Sequence, residues 1–287
     1  MVLPEFELAK DEHLYLLLDG AQLPELERQL FEVVDSPAYQ PLYLYSPWDS
    51  LREVSPCLVE ASVELLEWFQ TLPANGGGLL SSSLRLLPLA ERLRALIEVE
   101  SPYGSRILLK LAQPDGMYRL LQDDEPWLWE GIRQVWTGAR QQLLPNAPVQ
   151  WWHKRVAPTL GPRQGERLRL SDPQWARLGE VTWLSTLDII WRHMEKWFPE
   201  RLAEQVDAGA WVSHWANKGY PLGFHSERDL LFFFNVLGYL GDTWWDTGEY
   251  PEVQTLLRTL SSQTPSQRVE QAAIWAERHV MTQEISS

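Results

Sequence analysis

The chain of 287 residues has a single cysteine, Cys57. Without a second thiol there is no internal disulfide, so the fold rests on its core, and this cysteine usage fits a reducing cytoplasm. A buried, small apolar role suits Cys57 better than a nucleophilic one. Long apolar runs are also missing. The most apolar window, Leu230–Leu240, is eleven residues interrupted by Asn235, whereas spanning a bilayer takes about 20. No basic stretch followed by an apolar run opens the sequence, so neither a signal peptide nor a membrane partner is expected.

Several chemistries lack their motifs. The histidines His13, His153, His193, His214, His225 and His279 form neither His-Glu-x-x-His nor a cluster, so no metal and no cofactor is expected. Asn75-Gly76-Gly77-Gly78 has no Gly-Lys-Ser/Thr ending and reads as a flexible turn, not a phosphate loop. Ser81-Ser82-Ser83 lacks the Gly-x-Ser-x-Gly elbow of a hydrolase nucleophile. Asp19 stands at a strand end, where a catalytic acid would be at home, but Asp19-Gly20 is first a turn signal.

Positive charge is scarce and unevenly placed. Through Arg133 there are 22 acidic and 10 basic residues, and thereafter 17 and 15. So acidic a first half repels phosphate backbones, which excludes nucleic acid and favours a basic protein surface as partner. Between Trp136 and Arg177 the sign reverses, with Arg140, Lys154, Arg155, Arg163, Arg167, Arg169 and Arg177 against Glu166 and Asp172. This basic stretch reads as a connector, either docked on the acidic lobe or solvated.

What is present begins with His13–Tyr45, which changes period twice. Leu14–Leu18 is an apolar run closed by Asp19-Gly20, the form of a strand buried on both faces. Leu23, Leu26, Leu30 and Val33/Val34 then trace one helical face, with Pro24 in the first turn. Pro37 ends that helix, and Leu42–Tyr45 supplies a second strand. A short helical piece lies between Ser46-Pro47 and Ser55-Pro56, then a brief strand at Cys57–Val59 and a helix over Val63–Leu72. A helix over Leu84–Ile97 follows, then a hairpin of Ile97–Glu100 and Arg106–Leu111 turning at Gly104, and a helix at Met117–Leu121.

Beyond Asp123 the texture changes: fourteen of the sixteen tryptophans lie at or after Trp127. A short hairpin is expected around Val149–Trp152. Ser171-Asp172-Pro173-Gln174 has the capping-box form and opens a helix through Phe198 along which Trp183, Leu187, Ile190, Met194 and Trp197 step by three and four. Pro199 restarts a helix, Ser226 caps an all-apolar central one, and Thr264-Pro265-Ser266-Gln267 caps the last. Trp183, Trp191, Trp197, Trp211 and Trp215 fall at core spacing. Trp151, Trp152, Trp244 and Trp245 fall outside it and are the candidates for exposure, because tryptophan is enriched at interface hot spots. Asp242, Asp246 and Glu249 surround Trp244-Trp245, an arrangement that also suits carboxylates and stacking rings around a sugar.

The opening strand closed by Asp19-Gly20, the leucine-rich helix and the Tyr43 strand come in one order with Ser55-Pro56-Cys57-Leu58-Val59, Gly78-Leu79-Leu80-Ser81-Ser82 and Gly104. In that order, from His13 to about Trp136, they resemble the N-terminal domain of the type VI secretion effector chaperone/adaptor family. The run GYPLGFHSERDLLFFFNVLGYLGDTWW is similar to that family's helical tail. One departure is Lys110-Leu111-Ala112-Gln113-Pro114, where the family often has Arg, two residues, then Asp-Pro.

The expected fold class is α+β: a mixed α/β lobe over 1–135, a basic connector over 136–170 and a tryptophan-rich helical lobe over 171–287. The resemblance implies a non-catalytic cytoplasmic adaptor that binds a cognate toxic effector and helps load it onto the VgrG spike. Partner binding is expected of Trp151, Trp152, Trp244, Trp245, Asp246 and Glu249. The alternative is a carbohydrate-active enzyme or sugar-binding module built on the 242–249 loop.

Overall fold

A computed structural model describes residues 2–156, 165–259 and 261–286. Two compact units emerge, Met1–Gln141 with Pro148–Val181, and Gln142–Ala147 with Thr182–Ser287. The first contains the sheets and the second is helical, so the chain is α+β. Arg163 of the basic stretch lies outside the described residues.

Unit 1 is built on β1, His13–Leu18, which pairs antiparallel with β3, Cys57–Glu60, on one side and β4, Gly77–Ser82, on the other. With β2 (Tyr39–Pro41), β7 (Gln134–Arg140) and β8 (Val149–Arg155) the order is β2-β3-β1-β4-β7-β8. Successive side chains of a strand face opposite sides. Tyr15 and Leu17 accordingly enter one core, with Leu58, Leu80 and Val135, and Leu16 and Leu18 enter another, with Val59, Leu79 and Trp136. The first core is closed by α3 (Leu86–Arg94), α4 (Pro114–Leu120) and α5 (Pro126–Trp129), the second by α1 (Leu26–Val33) and α2 (Val63–Thr71). This double burial is why the strand carries no polar alternation.

Two glycine steps differ from their simplest reading. A Cβ on Gly20 would lie 2.3 Å from the Ser55 carbonyl oxygen, so the Asp-Gly turn is fixed by close packing as well as by conformation. The Gly76–Gly78 run is no flexible turn. Gly77 and Gly78 open β4, and a Cβ on Gly77 would meet the Leu17 carbonyl oxygen at 2.4 Å. Glycine there allows the central strands to approach.

Other boundaries shift for local reasons. Glu25 adopts left-handed backbone (φ 56°), so α1 begins at Leu26 and Pro24 precedes it. The second strand is Tyr39–Pro41, not Leu42–Tyr45. Leu42 and Tyr43 are buried beyond it, their N–H groups donating to the Pro56 carbonyl and Ser55 Oγ in place of a ladder. The hairpin of β5 (Glu98–Glu100) and β6 (Arg106–Leu108) turns at Gly104, whose φ is +83°.

The largest difference concerns the stretch expected as a connector. Its first part holds most of β7 and all of β8, paired through seven residues each, so the sheet of unit 1 runs on past the boundary at 135. Its charges are docked on acidic partners: Arg140 on Asp115 (2.8 Å), Lys154 on Asp124 (2.7 Å), Arg167 on Glu98 (2.9 Å), and Arg177 on Asp123. The short hairpin expected around Val149–Trp152 is β8, longer than expected and running to Arg155, since an edge strand carries Lys154 and Arg155 readily.

The helix α6 (Asp172–Trp197) is opened by the expected capping box, in which the Ser171 N–H donates to Gln174 Oε1 (2.9 Å) and the Gln174 N–H to Ser171 Oγ (3.4 Å). Leu187, Ile190 and Met194 are buried, but Trp197 is 61% exposed, with the Lys196 ammonium over its ring. The helix expected after Pro199 is two, α7 (Pro199–Ala203) and α8 (Ala208–Gly219), the second capped by Asp207. At the heart of unit 2, α9 (Glu227–Leu240) packs along α12 (Pro265–Ser286). Asn235, the polar break in its apolar run, faces His193 Nε2 at 2.6 Å.

Arg268 of α12 is buried, and its guanidinium donates to the carbonyls of Leu256, Leu257 and Thr259 and to that of Leu222. Three of these lie at the end of α11 (Pro251–Arg258), where unpaired carbonyls concentrate negative charge. Arg268→Met should lower the stability of unit 2 by about 2–4 kcal/mol, read as the urea midpoint. Arg268→Lys should recover only part, because an ammonium cannot span four acceptors.

Candidate partner-binding surfaces

The residues expected to bind a partner divide between the units. Trp151 and Trp152 lie on β8 of unit 1 and, as neighbours on a strand, face opposite sides. Trp152 packs on the first core, edge-on to Tyr118 at 5.5 Å. Trp151 packs on the second core, and its Nε1–H donates to the Val2 carbonyl at 2.7 Å. Each is half-buried, with structural contacts of its own.

In unit 2 the run expected as a loop is a short helix, α10 (Trp244–Thr247). Trp244 is fully buried and its indole N–H donates to the Gly241 carbonyl, so it is an anchor and not an exposed ring. Trp245 packs edge-on to Trp215 at 5.3 Å. The Arg258 guanidinium lies 4.1 Å from the centre of the Trp245 ring and also donates to its carbonyl at 2.8 Å. Asp246 and Glu249 are exposed. Asp242 accepts from Trp211 Nε1 (2.8 Å), and Glu249 is engaged by Tyr250. A sugar therefore finds no free stacking platform on Trp244.

The other chemical candidates have structural partners too. Asp19 is buried, which pushes its carboxyl up from the ordinary range, and it accepts from the Ala21 N–H at 3.0 Å as a turn residue does. Burial pushes the Cys57 thiol up to about 12, so it stays protonated. Among the described residues no group of three or more His, Cys, Asp or Glu is placed to hold a metal ion. No helix among them is long and apolar enough to cross a membrane.

A different surface carries exposed apolar area, and composition did not single it out. It surrounds β2, at one edge of the sheet. Phe31 (52% exposed), Tyr45 (58%), Leu51 (39%) and Val54 (43%) are large apolar side chains left in solvent. A frame of specific contacts ties them to the edge strand. Phe31 meets Tyr39 edge-on at 6.0 Å, and the Tyr39 hydroxyl donates to Glu27 Oε2 at 2.9 Å. Arg52 grips both Glu27 oxygens, at 2.9 and 3.0 Å. Arg94 lies over the Tyr45 ring at 5.2 Å and donates to the Pro41 carbonyl at 2.8 Å.

The charge around this patch is one-sided. Between Glu25 and Val54 there are six acidic residues and two arginines, and Arg28 is paired on both sides by Glu25 and Glu32. Large apolar side chains left exposed beside charge of one sign are a usual mark of a protein partner.

The model of the family "Domain of unknown function (DUF4123)" matches residues 14–130. "Accessory protein VasW" of Vibrio cholerae serotype O1 is 42% identical over 282 residues, 97% of this chain and 92% of that protein. The chain belongs to the DUF4123 family. This is the type VI secretion adaptor family that the motif order resembles. The family match covers β1 to α5 and so includes the whole β2 edge. No solved structure matches the chain.

The Arg52 hydrogen bonds hold the Glu27 carboxyl below its ordinary range against the opposing effect of burial. A depressed carboxylate contributes stability above its unfolded value and loses it as pH falls through the folded one. Glu27→Gln should therefore cost about 0.5–1 kcal/mol at neutral pH, discounted for solvent screening. The difference from the unaltered chain should shrink as pH falls below about 4.3, the ordinary glutamate value, and vanish only below the lowered folded value, as urea midpoints across the range will show.

Proposed function

We propose that this chain is a non-catalytic adaptor of a type VI secretion system. It binds a specific effector in the cytoplasm, stabilises it, and helps load it onto the VgrG spike. One observation carries this reading: the apolar patch of Phe31, Tyr45, Leu51 and Val54 on the β2 edge, set in an acidic surround. Family membership and the VasW likeness support the adaptor role, and the effector and the spike protein follow from the family resemblance.

The chemistry favours a partner surface with apolar side chains and a basic rim. Acidic groups around the patch speed the encounter with such a surface and reject anionic ones. Buried aromatic contact then supplies most of the affinity, as it does at protein interfaces generally.

The test is co-expression of the full chain with the effector and VgrG encoded by the same secretion system, followed by pull-down. Retention of the effector is expected, and Phe31→Asp/Tyr45→Asp should weaken it by at least about tenfold, equivalent to 1.4 kcal/mol, with an unchanged thermal melt. If neither effector nor VgrG is retained by the unaltered chain, the reading fails. Full retention by the double variant would move the contact away from the β2 edge.

A further inference from the structure

At the opposite edge of the sheet, the segment 2–12 does not form regular structure. It lies over the part of the second core that β7 and β8 contribute. Leu3 and Phe6 pack into that core, and Phe6 meets Trp136 edge-on at 5.3 Å. The rest is open: Val2, Glu5 and Glu7 through Asp11 are exposed.

What holds the segment is unusual in kind. Trp151 Nε1 donates to the Val2 carbonyl at 2.7 Å, and Gln134 Nε2 and Arg155 Nη2 donate to the Glu7 carbonyl at 3.0 and 2.7 Å. All three grips are side-chain donors on main-chain carbonyls. Among the described residues no main-chain ladder joins the segment to the sheet. Beyond these carbonyls the grip reads two apolar residues three apart and the Glu12 carboxylate, which accepts from Ser81 Oγ at 3.1 Å.

Gln134 is the centre of the grip. It is 1% exposed, its Oε1 faces His153 Nε2 at 3.0 Å, and its amide N–H groups donate to the Glu7 carbonyl and Glu12 Oε2. Because the amide donates twice, Oε1 accepts and His153 carries its proton on Nε2. An occupant that presents a carbonyl keeps this donor paired, whereas an emptied groove leaves it to water. The charge matches an acidic occupant, since Glu5, Glu7, Asp11 and Glu12 outnumber Lys10 in the segment while Arg155 lines the groove.

We infer that residues 2–12 are the built-in occupant of a docking groove, and that an extended acidic–apolar segment of a partner protein displaces them. This goes beyond the proposed adaptor role and uses a different surface, so the β2-edge variants leave it unaffected.

The probe is a fluorescein-labelled peptide VLPEFELAKDE, tested on the full chain and on its Leu3→Ser/Phe6→Ser variant, whose own segment is released. The variant should bind at least about tenfold more tightly than the unaltered chain. Adding Arg155→Glu, or Trp151→Phe, which keeps the ring and removes the donor, should abolish that gain. A peptide with serine at both apolar positions should not bind. Equal weak binding to both proteins, with the near-ultraviolet tryptophan spectrum intact, overturns the inference. A dimer of the unaltered chain in sedimentation that exchanges segments between copies, and that the peptide leaves intact, assigns the groove to a second copy and overturns it too. If the double variant does not fold, hydrogen exchange on the unaltered chain decides. Amides of residues 5–11 should exchange at least about a hundredfold faster than those of β1, and protection equal to β1 contradicts a displaceable segment.

Discussion

From Tyr15 to Leu18, every side chain of β1 is shut away from water, two on each side of the sheet. The strand is also hydrogen-bonded along both of its margins. A strand in that position demands a layer above and a layer below, and the chain supplies them as α1 and α2 on one side and α3 to α5 on the other. With both sheet faces committed to packing, the contacts proposed for unit 1 fall toward the two ends of the strand order. The exposed apolar side chains surround β2, and residues 2–12 lie over the core that β7 and β8 contribute.

The tryptophans make the same point from the other direction. Residues so rich in contact area serve equally as core and as interface, and their number says nothing of which. In unit 2, Trp244 is sealed and Trp245 is edge-on to Trp215 with Arg258 over its face, so the pair anchors α10 to the helices around it. Trp197, at a helical spacing that fits a core, stands in solvent. Spacing along a helix gives the angle of a side chain but not how far the neighbouring layer extends.

Much of the fold was legible where a local rule acts alone. The strand before Asp19-Gly20, the hairpin at Gly104 and the capping boxes at Ser171 and Thr264 are short-range chemistry, and each appears where its residues stand. The α+β class followed from the change of period along the chain. What was missed depends on distant partners. The full length of β8 was not legible because its charges are answered by Asp124 and the Glu7 carbonyl, far away in sequence. The opening segment has no local pattern to read, because it borrows its hydrogen bonds from side chains on β7 and β8. The β2 patch was hidden for a similar reason. Phe31 belongs to the amphipathic helix and Tyr45 to an expected strand, and only the fold shows that both remain exposed at one margin. A signal was available in Phe31, which falls among the charged residues of the α1 stripe and off its leucine face.

The most direct measurement is hydrogen exchange on the full chain, alone and with the effector it retains. The account predicts that binding slows exchange across Tyr39 to Val54, at the β2 margin. Slowing confined to α9 to α12, with the β2 margin unchanged, would contradict it.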